Sequence, residues 1–313
     1  MDMNLEQLRA FVEVANVGNF TRAAEQLHLA QPSLSRQIGS LEQDLGAELF
    51  RRARGGSTLT TAGESLLPLA RRMLADADSV RRELAELAGL ERGRVRLGAT
   101  PTLCISLVTE VLSAFHAAHP AIELHLSEQG SWRLLDELAA GELDLALITT
   151  SDAPASRFDV SPLLAEELVV ISSGAADPLV AGDAIQLAEV ARLPLIVFSS
   201  SYDVRIASDA AFRSAGLTPE VVLEGAEMDA VLRFVERGLG VAIVPATVLI
   251  DRPALRSVRL EEPTLTRTIS VARPVGLAPT RAVQVMQRTI AATATAFAAQ
   301  AGATMRLAEP AAA

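Results

Sequence analysis

The sequence predicts a multidomain chain: a small all-α head with a hairpin wing, a long linker helix, and a two-lobed α/β module. Three observations carry that expectation. Residues 21–60 contain two short helical segments, a tight turn and an arginine-rich hairpin. Residues 61–87 show apolar spacings of four and three that alternate without a slip. From Arg94 onward, strand-like and helix-like segments alternate almost to the end of the chain.

The head's first short helix is expected to start at Thr21, a good N-cap residue, and to run to about Leu27 with Ala23, Ala24 and Leu27 buried. His28-Leu29-Ala30 is only long enough for a turn. Pro32 suits the first turn of a second helix, where its missing N–H costs nothing. Leu34, Ile38, Leu41 and Leu45 then form one apolar stripe. The opposite face shows Pro32, Ser33, Arg36, Gly39, Ser40 and Gln43, with Gln31 and Ser35 at its margin. Short or hydrogen-bonding side chains and a single fork-shaped cation suit a helix that enters a major groove and aims donors at base edges. An ordinary amphipathic surface helix carries the same stripe, so this segment alone leaves both readings open.

A longer set of positions bears on the choice: Leu5-x-x-Leu8-x-x-Phe11, Ala23-Ala24-x-x-Leu27, Gln31-Pro32-Ser33-Leu34-Ser35, Ile38-x-x-Leu41-Glu42, Leu45-Gly46, Leu49-Phe50 and Leu59-Thr60-x-Ala62-Gly63. In this order they resemble the N-terminal winged helix-turn-helix domain of LysR-type transcriptional regulators. The resemblance implies that Gln31, Pro32, Ser33, Ser35 and Arg36 face double-stranded DNA, and that Arg52 in the wing touches the backbone or the minor groove. The wing departs at Gly55, where the family usually has a second arginine; Arg51 and Arg54 are the candidates to replace it.

Net charge is −10, and every one of the 28 basic residues is arginine. Residues 1–65 hold Arg9, Arg22, Arg36, Arg51, Arg52 and Arg54, fewer than their carboxylates, so placement and not net charge has to carry DNA affinity. No apolar run approaches the roughly 18 residues of a membrane span. The start, MDMNLEQLRAF, lacks a secretion-signal layout, so a cytoplasmic protein is expected.

After the wing, Thr61-x-x-Glu64 reads as a capping box. The series Leu66, Ala70, Met73, Ala77, Val80, Leu84 and Leu87 then reads as the seam of a short coiled coil, with Pro68 a possible bend. In the family this helix pairs two subunits, which implies a homodimer or homotetramer on a palindromic operator.

RVRLGAT, IELHLSE and LDLALIT, with helices over 101–119 and 131–141 between them, form a βαβαβ series that requires parallel strands. LVVISS, PLIVFSS, EVVLEG and GVAIVP continue the alternation, and crossings near Ala165 and Thr268 give two hinged lobes with a cleft. This resembles the effector-binding domain of the same family, itself similar to type 2 periplasmic binding proteins. The expected organisation is a head over 1–60, a linker helix over 61–90 and an effector module over 94–300, with residues 301–313 as a disordered tail. Lobe I covers 94–164 and 269–300, and lobe II covers 165–268.

Ligands of open α/β sheets bind at strand carboxyl ends beside helix N-termini. Those positions hold Glu128 and Asp203 and, as effector candidates, Thr100, Pro101, Thr102, Gly130, Ser131, Thr149, Ser199, Ser201, Tyr202 and Glu227. Any one of them can equally be a local cap. Their hydroxyls suit a small carboxylate or other anion. Cys104, the single cysteine, is read as a small buried residue in preference to a redox sensor. No metal site, cofactor or catalytic residue is expected, because no ligand spacing, phosphate loop or nucleophile elbow is present. RNA polymerase is a further candidate partner. The competing class is a cytoplasmic solute-binding α/β protein whose N-terminal segment only dimerises. A bare dimerisation module gives no reason for the arginine-bearing face at 31–36 and the arginine-rich wing.

Overall fold

The computed structural model describes residues 3–53, 56–87, 93–149, 157–200, 202–250, 252–276 and 278–308. It comprises two compact units, one of Met1–Leu90 with Asp136–Leu143, the other of Glu91–Leu135 with Asp144–Ala313.

In the first unit, α1 (Leu5–Val17) opens on a reciprocal box: the Asn4 side chain accepts from the Gln7 N–H at 3.0 Å, and the Gln7 side chain accepts from the Asn4 N–H at 2.9 Å. The cap of α2 (Phe20–Gln26) is Asn19, not Thr21. Its side-chain oxygen reaches two orphan amides, those of Thr21 and Arg22, which places Thr21 inside the first turn. α3 (Gln31–Leu45) buries Leu34, Ile38 and Leu41 against Leu8, Phe11, Ala23 and Ala24. The wing is an antiparallel hairpin of β1 (Phe50–Ala53) and β2 (Gly56–Leu59). Glu42 of α3 fastens it by accepting from the Leu49 and Phe50 amides, while the Phe50 ring packs on Phe11 and Phe20.

α4 (Thr61–Leu87) runs on through Pro68. Its cap is Thr60, whose hydroxyl accepts from the Gly63 N–H at 3.1 Å and donates to the Glu48 carbonyl at 2.6 Å. The expected Thr61–Glu64 box is displaced because Thr61 is already helical. Gly63 is required by space, since a Cβ there would lie 2.3 Å from the Leu49 carbonyl oxygen. The predicted apolar seam is divided between the head and the surface. Leu66 and Ala70 pack into the head's own core together with Leu67 and Leu74. The large apolar side chains left exposed on α4 are Leu69, Met73 and Val80. Ala77 is half-buried, and the side chains of Leu84 and Leu87 fall outside the described residues.

The second unit begins with β3 (Arg94–Ala99), α5 (Pro101–Cys104), α6 (Leu107–Ala118), β4 (Glu123–Glu128), α7 (Ser131–Ala139) and β5 (Leu145–Ile148). β4, β3 and β5 are parallel, as the βαβαβ order requires. The single helix expected over 101–119 is broken at Ser106, whose hydroxyl turns back to the Thr102 carbonyl at 2.8 Å. The chain then runs through β6 (Phe158–Ser173), β7 (Ala184–Gln186), α8 (Leu187–Val190), β8 (Leu195–Phe198), α9 (Asp203–Ser214), β9 (Val221–Ala226), α10 (Met228–Glu236) and β10 (Ala242–Pro245). A 3-10 turn (Ala246–Leu249), β11 (Leu255–Glu261), β12 (Thr266–Pro274) and α11 (Arg281–Ala301) follow.

Two separate cores give the two lobes. One gathers Val95, Leu97, Val108, Phe115, Leu147, Ile269 and the inner face of α11. The other gathers Val170, Ile171, Ile196, Phe198, Phe212, Leu232 and Ile243. β6 contributes to both cores and pairs antiparallel with β12, with Thr268 opposite Ala165. The tail expectation is overturned in part: Gly302–Thr304 form a 3-10 turn and β13 (Met305–Leu307) pairs with β6. Met305 is buried in the first core, and β13 satisfies backbone groups that β6 would otherwise leave at an open edge. Residues 309–313 lie outside the described residues.

Where the two connecting strands run side by side, Arg267 of β12 stands directly opposite Glu166 of β6. Its Nε donates to Glu166 Oε1 at 2.8 Å, and the Thr247 N–H donates to Oε2 at 2.9 Å. The Glu166 side chain is wholly buried and that of Arg267 only 9% exposed. Replacing Arg267 with Met strands a buried carboxylate and is expected to cost about 3–5 kcal/mol. Chemical unfolding of the single variant against the Arg267→Met, Glu166→Gln double variant checks this, because removing the charge should recover part of the loss.

Candidate functional sites

The polar face of α3 is organised by its own side chains. Gln31 Nε2 donates to Ser35 Oγ at 2.9 Å, while Arg36 donates to the Pro32 carbonyl at 3.3 Å and to Ser33 Oγ at 3.4 Å. Gln31, Pro32 and Arg36 are exposed, and Ser33 and Ser35 half-exposed. Bonds of this length between exposed groups are readily exchanged for a ligand's, so the face offers hydroxyls, an amide and a guanidinium within two helical turns. Ser40, on the same side, receives a bond from the buried Gln7 side chain at 3.1 Å and so helps dock α1 on α3. Arg51 is exposed on β1. The side chains of Arg52 and Arg54 lie outside the described residues.

The second site lies where the strands of the two lobes end. Thr100 and Thr102 follow β3 and are both buried, with their hydroxyl oxygens 3.3 Å apart. Pro101 opens α5, and Gly130 is exposed with open space around its Cα. Ser131 at the start of α7 is buried; its Oγ accepts from the Thr149 N–H at 3.1 Å and lies 3.2 Å from Thr149 Oγ1. Across the cleft, Asp203 at the start of α9 brings its carboxylate to these two groups. Ser131 Oγ donates to Asp203 Oδ2 at 3.3 Å, and Thr149 Oγ1 donates to the same oxygen. The lobes are thus joined by a carboxylate resting on two hydroxyls.

The Tyr202 hydroxyl donates to Glu227, the N-cap residue of α10, and the Tyr202 ring stacks on Phe198 at 5.3 Å between centroids. Burial, then the bond to Glu227, pushes the Tyr202 phenol above its usual range. Ser199 is half-buried, and Ser201 lies outside the described residues. Sequence reasoning placed Asp203 and Glu128 at strand ends without giving either a role. No local signal marks Asp203 as an inter-lobe residue, because its partners lie 72 and 54 positions away. Cys104 sits beneath Glu128, and its thiol is pushed up to about 12, first by burial and then by the neighbouring carboxylate.

Family models match both units. Residues 5–64 match the bacterial regulatory helix-turn-helix protein of the LysR family, and residues 88–295 match the LysR substrate binding domain. The chain is 32% identical over 270 residues to the HTH-type transcriptional regulator YybE of Bacillus subtilis (strain 168), covering 86% of this chain and 92% of the relative. It is 33% identical over 276 residues to a probable nitrogen assimilation transcriptional activator of Synechococcus elongatus, covering 87% and 89%. Among solved structures, a full-length OxyR variant from Pseudomonas aeruginosa superposes with a TM-score of 0.71 at 25% identity, covering 94% of this chain and 95% of that one. Full-length CbnR in complex with its target DNA gives 0.64 at 25% identity, covering 95% and 100%. The chain belongs to the LysR family: it is a ligand-responsive transcriptional regulator with a DNA-binding head and a two-lobed effector-binding domain. No helix among the described residues is long and apolar enough to cross a membrane.

A thiol held near 12 stays protonated at neutral pH and is a poor nucleophile. Cys104 should therefore react with iodoacetamide far more slowly than a free thiol at neutral pH, and should approach the free-thiol rate only after unfolding. Mass spectrometry of native and denatured protein checks this; rapid native alkylation would contradict the assigned environment.

Proposed function

We propose that Gln31, Pro32, Ser33, Ser35 and Arg36 read the major groove of a palindromic operator, while Arg51, Arg52 and Arg54 hold the flanking backbone or minor groove. The observation that carries this reading is the exposed, hydrogen-bonding face of α3, anchored by a fully apolar inner face. A similar protein, CbnR, has been solved on its target DNA. The exposed stripe of Leu69, Met73 and Val80 on α4 supplies the contact with a second copy. The effector binds in the cleft among Thr100, Thr102, Ser131, Thr149, Tyr202 and Glu227. It acts by favouring one of two lobe arrangements, since a ligand shifts an equilibrium only through unequal affinity for its states. The protein works in the cytoplasm, where its operators are, and carries out no catalysis of its own.

Arg36→Ala is expected to cost about 1–3 kcal/mol at the cognate operator and to relax specificity at one base pair. Arg52→Ala should weaken binding to all sequences and lower the salt slope by about one. Titrations of labelled duplexes at several salt concentrations check both; unaltered affinity in both variants rejects the docking.

A further inference from the structure

Three of the hydroxyls that make this cleft look like an anion site, those of Ser131, Thr149 and Tyr202, are already engaged by the chain's own carboxylates. A hydroxyl has one proton to give. Those of Ser131 and Thr149 both go to Asp203 Oδ2, and that of Tyr202 goes to Glu227. Thr100 and Thr102 lie within bonding distance of each other, so one of their two protons is also taken. Glu128 adds a third carboxylate beside Cys104, close enough to Tyr202 to influence its phenol. At these residues the cleft therefore presents carboxylate acceptors, contributed by both lobes.

Among the described residues, no arginine or histidine forms an ion pair with Glu128, Asp203 or Glu227. Arg205, two residues beyond Asp203, is committed to Asp209, Glu224 and the Phe198 carbonyl. Residues 150–156 and Ser201, adjacent in sequence to the cleft residues, contain no basic side chain, and the chain has no lysine. Both bonds to Asp203 fall on Oδ2, and among the described residues nothing donates to its other oxygen. A free carboxylate entering here would meet like charge and few donors, whereas an ammonium or amidinium would complete the set.

We infer that Asp203 is the specificity-determining residue of the effector cleft, and that the effector presents an ammonium or amidinium group to its carboxylate. This rests on the reading of the cleft as the effector site. In the absence of ligand, Asp203 holds the lobes together as a tethered stand-in for an anion on Ser131 and Thr149.

The test uses the full chain and thermal-shift titrations with size-matched probes at constant ionic strength: ethylammonium, butane-1,4-diammonium and acetamidinium against acetate, propionate and succinate. At least one cation should protect the wild type, and Asp203→Asn, which keeps the shape and removes the charge, should weaken it by about tenfold or more. Asp203→Ala should gain acetate binding that the wild type lacks, because Ser131 and Thr149 recover their donors; circular dichroism confirms that the variants fold. Protection of the wild type by no cation, or no acetate gain in Asp203→Ala, overturns the inference. If carboxylates protect the wild type and Thr102→Val weakens them, the cleft stands and the assigned class falls. If cations bind but neither Asp203→Asn nor Thr102→Val affects them, the cleft reading itself falls.

Discussion

The effector unit depends on one strand pair. β6 contributes to both cores, Leu164 to the first and Leu168, Val169, Val170 and Ile171 to the second, and β12 pairs along its first-lobe part. Antiparallel pairing alone leaves such a ribbon free to twist and slip. Glu166 and Arg267, opposite each other one pair from the end of this ladder, restrict that freedom by a charge-assisted bond made in this register. Burying the pair carries a large desolvation cost, so its contribution lies in specifying one alignment more than in net stability. The Thr247 amide, at the end of β10, adds a third point of attachment from the second lobe. On the other side of β6, β13 pairs with Glu166, Ala165 and Leu164.

The cleft shows why a list of polar residues does not define a ligand. Hydroxyls at strand ends read as donors when counted singly, and as such they suggest an anion. Their protons, however, point toward acceptors supplied by the chain itself, and those acceptors come from distant parts of the sequence. Asp203 also stands at the N-terminus of α9, where the helix dipole favours a negative charge. The position that a family-based reading would give to a ligand carboxylate is thus occupied by a side chain that the helix itself favours there.

What was legible in the sequence follows from the range of the interactions involved. The inner face of α3 was readable because Leu34, Ile38 and Leu41 repeat at helical spacing, and the parallel core of the first lobe because β–α alternation admits few topologies. Local competition was harder to read. Asn19 outcompetes Thr21 as a cap because its side-chain oxygen accepts from two first-turn amides, and Thr60 outcompetes Thr61 because its hydroxyl also reaches the Glu48 carbonyl. The strand at Met305–Leu307 was unreadable from three residues that gain regularity only from the exposed backbone of β6. Asp203 was visible as a residue, but its role depends on Ser131 and Thr149, which no local pattern connects to it.

α4 illustrates the same limit within a single helix. Its heptad-like series starting at Leu66 is real, but a 3.6-residue period allows two apolar stripes to lie side by side on 27 residues. Leu66 and Ala70 are taken by the head, which needs them to close over Phe11 and Leu41. Met73 and Val80, later members of the same series, remain exposed beside Leu69, and Leu69 and Val80 have more than half their surface in water. An apolar row left this open on a long helix is unfavourable for an isolated chain and favourable for a pair. Recognition of a palindrome imposes the same demand from the other direction, because one α3 can fill only one half-site. The apolar side chains that the head leaves unused are thus the ones through which the proposed pairing would hold two heads at a fixed spacing.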